Sequence, residues 1–202
     1  MEMQRLLRTV FFVLLAGAPL FAQVRVENRP AGTGPIFEAS AGYLFMSMTS
    51  PSISSRVNLQ GVDANALLHF TPRWGAMLDF GFARAGSVPD TGHSDRVFNG
   101  LIGPVFYLID HEKTNVFVNA LIGSAWVDSA VPLSLTTEFH GYETRFSYLL
   151  GAGFERHVQG PFGVRISGGY QRTTFVDPKL ALEGQNNLRV SAGIVYQFGR
   201  RD

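Results

Sequence analysis

From Leu188 to Phe198 every second residue is apolar: Leu188, Val190, Ala192, Ile194, Tyr196 and Phe198. Arg189, Ser191, Gly193 and Gln197 fill four of the five places between them. A period of two is the mark of a β-strand with one face in an apolar environment and the other against polar groups. The pattern recurs along the chain and predicts eight strands, over 36–48, 57–70, 74–86, 96–108, 114–127, 143–157, 162–175 and 187–199. In the second, Val62, Ala64, Ala66, Leu68 and Phe70 share a face. In the third, Trp74, Ala76, Leu78, Phe80 and Phe82 do so, and in the sixth, Phe146, Tyr148, Leu150, Ala152 and Phe154. The fourth and fifth are ambiguous. "FNGLIGPVFYLI" is nearly all apolar, and Pro104 has no N–H for a ladder, which predicts a bulge or local break there. Asn99 and Asn119 are placed on the polar face by their chemistry alone.

Two strand patterns of this kind exist, a soluble barrel or sandwich and a membrane barrel, and they bury opposite faces. Composition favours the second. Charged residues make up 16% of the chain, against about 25% in soluble domains. Only Lys113 and Lys179 are lysine. Beyond residue 22 no stretch is long and apolar enough for a membrane helix, so a closed barrel is the remaining way to cross a bilayer. The first 22 residues read as a secretory signal peptide: Arg5 and Arg8, then "TVFFVLLAGAPLFA", with cleavage expected after Ala22. Its removal takes two of the 17 basic and one of the 16 acidic residues and leaves the rest formally balanced, which argues against nucleic acid as a charge-driven partner. The absence of cysteine excludes disulfides and thiolate metal sites. Residues 23–35 read as a periplasmic N-terminal linker, 36–199 as the barrel and 200–202 as a tail.

The connections alternate in length. "TPR", "DHEK" and "VQGP" are tight; "SAVPLSLTTEFHGY" and "DPKLALEGQNN" are long. Short turns at one end and long loops at the other are the layout of bacterial outer-membrane barrels, with loops 128–142 and 176–186 on the extracellular side. The aromatics of the apolar face sort to the two ends in the same way. Phe37, Phe70, Trp74, Phe106, Phe154, Phe162, Tyr196 and Phe198 fall near the turns. Tyr43, Phe45, Phe82, Trp126, Phe146, Tyr148 and Tyr170 fall near the loops. Two belts around a mainly aliphatic band match two membrane interfaces, which puts the apolar face outside the barrel.

"NNLRVSAGIVYQFG" resembles the C-terminal strand of outer-membrane β-barrel proteins, with Phe198 as the aromatic near the end. "FNGLIGPVFYL", "VFVNALIGSAWV", "LLGAGFERHV" and "VRISGGYQRTTF" resemble, in the same order, segments of the OmpA-like and opacity-type small porin family. The resemblance spans roughly residues 36–199. It implies an all-β, eight-stranded antiparallel up-and-down transmembrane barrel in the outer membrane of a Gram-negative cell. It further implies insertion by machinery that reads the last strand, outer-membrane lipid as surroundings, and no cofactor.

On the inward face the pattern places Glu38, Asp63, Asp79, Arg145, Glu155, Arg165 and Arg189, with His69 and His157. A lumen this narrow is filled by its side chains, and charges survive there only when paired. The "VQGP" turn sets Glu155 nearly opposite Arg165. Asp63 and Asp79, on neighbouring strands, need Arg189 or Arg145, a shared proton or a cation. Stability is therefore expected from a closed ladder, an apolar belt and a charge network rather than a dry core. The network reads as a structural plug, with narrow conductance as the alternative. Three other activities have candidate residues in the sequence. A lipid-modifying enzyme would need a hydroxyl beside an oriented histidine. His93 and Ser94 lie in a polar loop, His140 in another, and His69 and His157 face inward near the turns, so no catalytic residue is assigned. No HxH or HxxxH spacing occurs, so no metal ligand is assigned. Binding through the long loops, with an unnamed ligand, is the third.

Overall fold

The computed structural model describes residues 36–49, 56–86, 95–110, 113–134, 137–174 and 185–198. The signal peptide, the linker, the 200–202 tail, His93 and Ser94, and most of the 176–186 loop lie outside them. Among the described residues every element is a strand: β1 (Ile36–Thr49), β2 (Arg56–His69), β3 (Trp74–Ala85), β4 (Asp95–Asp110), β5 (Thr114–Ser134), β6 (Thr137–Gln159), β7 (Phe162–Thr173) and β8 (Gln185–Phe198). Each pairs antiparallel with the next, and β1 pairs with β8, so the sheet closes into an eight-stranded up-and-down barrel. Closure leaves no free edge over the shared height of the strands.

The seam between β1 and β8 depends on glycine. Gly42 and Gly193 are direct partners. A Cβ on Gly42 would overlap the Ala192 carbonyl, and one on Gly193 would overlap the Ala41 carbonyl. At the turn end, Gln159 pairs with Phe162, leaving Gly160 and Pro161 as a two-residue turn. Gly160 has φ 58°, and proline holds φ negative. A positive then a negative φ matches a type II′ hairpin turn and excludes type I′.

Pro104 acts as expected in one respect only. Pairing between β4 and β5 lapses at Gly103 and Pro104 and resumes in the same register, whereas the register shift falls further on, between Tyr107 and Ile109. The larger difference concerns the 128–142 loop. β5 and β6 stay paired from Asp128–Tyr142 up to Ser134–Thr137, so the long loop is an extension of both strands. The alternating "VPLSLTTEF" is the signal for it. At the end of the 176–186 loop, Gln185 and Asn186 likewise belong to β8.

The expectation of a lumen without a dry core is corrected. Leu44, Met46, Met48, Val57, Leu59, Ala83, Ala85, Val97 and Val127 form a buried apolar cluster at the loop end. Leu67, Met77, Leu101, Val105, Tyr107, Phe117, Leu121 and Leu149 form a second, mainly on β3–β5. β4, β5 and the loop half of β1 are apolar on both faces, so alternation could not reveal that their inward face is apolar too. The lumen is thus apolar toward the loops, on β1–β5, and below that two-sided, with an apolar wall mainly on β3–β5 facing charged groups that come from β1, β2, β3, β6, β7 and β8.

Candidate functional site: the lumen

Glu38, Asp63, Asp79, Glu155, Arg165 and Arg189 all point inward and are buried. They fall into two clusters. Near the turns, Glu155 and Arg165 are direct cross-strand partners. Arg165 donates from Nε and Nη2 to Glu155 Oε2 at 2.8 and 2.6 Å, and from Nη2 to Glu38 Oε2 at 2.7 Å. Its Nη1 donates to Ser40 Oγ at 3.1 Å. Closure is what brings Glu38, on the first strand, to a pair formed by the sixth and seventh. The guanidinium also lies 5.6 Å from the centroid of the Phe117 ring, which occupies space left by Gly153, its cross-strand partner.

The remaining oxygens of this cluster face histidines. Glu155 Oε1 is 2.8 Å from His157 Nε2 and accepts a long bond from Asn115 Nδ2 at 3.4 Å. Glu38 Oε1 is 3.0 Å from His69 Nε2, and that nitrogen is 3.3 Å from the Tyr107 hydroxyl.

In the second cluster Arg189 forks onto Asp79, with Nη1 to Oδ1 at 2.6 Å and Nη2 to Oδ2 at 3.1 Å. Asn65 Nδ2 donates to Asp79 Oδ2 at 3.0 Å. Asp63 sits one step diagonal to Asp79, since Asp79 pairs with Asn65, and is 4.0 Å from Arg189. A cavity of about 20 Å³ lies among Asp63, Asp79, Asn119, Ser167, Arg189 and Ser191, room for about one water. Toward the loops a neutral group follows: Gln171 Nε2 donates to Asn99 Oδ1 at 2.7 Å and to Ser147 Oγ at 2.9 Å. Arg145 lies on the lumen side of β6 toward the loop end.

Sequence reasoning missed Tyr107, Phe117 and Asn115. The first two are inward aromatics of apolar strands with no alternation to mark them. The outer wall is apolar: Phe37, Trp74, Phe154, Phe162, Tyr196 and Phe198 point outward near the turns, and Tyr43, Trp126 and Tyr170 near the loops. Tyr148 is half-buried on the same face. Phe37 contacts Phe198, Tyr196 contacts both Phe162 and Phe198, and Trp74 contacts Phe106, so the rings form two clusters, one across β7, β8 and β1 and one across β3 and β4.

A closed eight-stranded barrel with a polar and charged interior and an apolar exterior is the architecture of the small outer-membrane barrels. Solved structures of outer-membrane barrels are similar to it. Neisserial surface protein A matches with a TM-score of 0.65 at 12% identity, over 82% of this chain and 100% of that one. Ail, the attachment invasion locus protein of Yersinia pestis, matches with a TM-score of 0.56 at 18% identity, over 82% and 100%. Ail in complex with the heparin analogue sucrose octasulfate matches at 0.54 and 17%, over the same shares. No protein-family model matches the chain, and no curated protein is similar to it in sequence.

Proposed function

We propose that this chain is a non-enzymatic outer-membrane barrel with a filled, non-conducting lumen, acting as a membrane-structural protein. The observation that carries this reading is the lumen itself. Arg165 and Arg189 are clamped between carboxylates, the β3–β5 wall is packed with apolar side chains, and the cavity between them holds about one water. An ion crossing it would have to break a buried, hydrogen-bonded charge cluster. The outward girdles at both ends, with Ile102, Ile122, Leu150, Ile166, Val190 and Ile194 exposed between them, support a bilayer as the surroundings. The test is single-channel recording on the refolded full chain in a planar bilayer. Silence with a heat-modifiable, folded barrel supports the plug; steady open levels would overturn it in favour of a narrow pore.

A second reading, binding at the cell surface, is favoured by one feature. The last β4–β5 pair is Arg96–Asp128 and the last β6–β7 pair is Ser147–Thr173, yet β5 and β6 continue together to Ser134–Thr137. Among the described residues, the resulting ribbon continues past the last pairs of β4 and β7 and presents backbone edges on both sides. Excising residues 130–140 with the barrel intact tests this, by loss of adhesion of whole cells expressing the chain.

A further inference from the structure

We infer that the turn end of the lumen is a divalent-cation site built from Glu38, Glu155 and His157, of the nitrogen–oxygen class that suits zinc. One ligand atom from each residue lies within 4.8 Å of the others. In a tetrahedral zinc site, with bonds of about 2.0–2.2 Å, ligand atoms stand about 3.3 Å apart, so modest side-chain rotation brings the three donors into range. They come from β1 and from two residues of β6 at strand spacing, where i and i+2 share a face. That is why a search for helical HxxxH spacing does not find them.

Three further observations point to a cation. Arg165 engages Oε2 of both carboxylates, which leaves each Oε1 turned to the histidine side. The guanidinium thus fixes both carboxylates in place without covering the oxygens a metal would take. Second, the His157 side chain is 8% exposed and its Nε2 stands 2.8 Å from Glu155 Oε1, so ring nitrogen and carboxylate already converge as two ligands of one ion would. Third, the charges suit a dication. Two carboxylates against one guanidinium leave a net negative site, which a divalent ion reverses rather than doubles. His69 Nε2, 3.0 Å from Glu38 Oε1 and 3.3 Å from the Tyr107 hydroxyl, holds the oxygen that would turn to the ion and acts as a positioning residue. With three protein ligands, the fourth place would fall to water.

The experiment uses the tag-free full chain, refolded in detergent, stripped with a chelator and titrated with Zn²⁺ by equilibrium dialysis. We expect one Zn²⁺ per folded barrel. His157→Ala should weaken binding by at least about tenfold, with gel mobility still showing a folded barrel. Joint replacement of His93, His111 and His140 by Ala should leave it unchanged. Should His157→Ala fail to fold, X-ray absorption at the zinc edge of the loaded wild-type protein decides, because imidazole and carboxylate ligands are expected together. Absence of binding beyond that of the boiled chain, binding indifferent to His157, or a zinc shell lacking imidazole would each overturn the site.

Discussion

Replacing Arg165 by Met tests how the lumen is held together. Arg165 is 3% exposed, and Glu38 and Glu155 are 0% exposed. Its Nη2 is 2.7 Å from one carboxylate oxygen and 2.6 Å from the other, so those oxygens are no more than about 5 Å apart. Without the guanidinium, two charges about 5 Å apart at an effective dielectric of about 20 repel by about 3 kcal/mol. That agrees with the roughly 3–5 kcal/mol typical of removing one partner from a buried ion pair. Glu155→Gln leaves the Arg165–Glu38 pair in place and should cost less, about 1–3 kcal/mol. In the double variant one lone carboxylate replaces two facing ones, so the combined cost should fall short of the sum by about 2–3 kcal/mol. The assay is a urea titration of folding into lipid vesicles. Trp74 and Trp126, which point outward near opposite ends, report insertion by fluorescence. Additivity within about 0.5 kcal/mol would refute the cluster as a coupled unit.

Facing and depth can be checked on the outer wall. Ala192→Arg or Leu78→Arg should cost about 2–4 kcal/mol in the same titration, against about 0–1 kcal/mol for Val158→Arg at the turn end. Equal penalties would mean that the band is not a bilayer belt. Gly42→Val should destabilise by about 1–3 kcal/mol or more through overlap at the β1–β8 seam, read as a smaller heat-modifiable fraction on gels; wild-type folding would show that the seam can spread. Gly153→Leu should likewise lower stability by displacing the Phe117 ring from beside Arg165, whereas Gly86→Ala, whose added Cβ would meet no atom of the described residues, should be silent in urea titration.

Much of the architecture is written in the alternation itself. Leu188 to Phe198 shows a strand with unlike faces because side chains project to opposite sides at every step, a local rule that needs no knowledge of neighbours. The same rule locates the eight strands, the outward rings and the inward charges, since each is a property of one segment. The Glu155–Arg165 pairing is less local: the two-residue turn alone would set Glu155 opposite Ile166, and the register shift between His157 and Gln159 brings Arg165 opposite it instead. Where both faces of a strand are apolar the rule is silent, and there the expected polar lumen gave way to the clusters around Leu44 and Phe117. What alternation cannot contain is which distant strands meet. Glu38 joins Arg165, and Arg189 joins Asp79, only because β1 closes on β8 and the lumen is narrow enough for side chains to cross it. The convergence of Glu38, Glu155 and His157 is of the same kind: the sequence determined that each faces inward, and the closed barrel decided that they face one another.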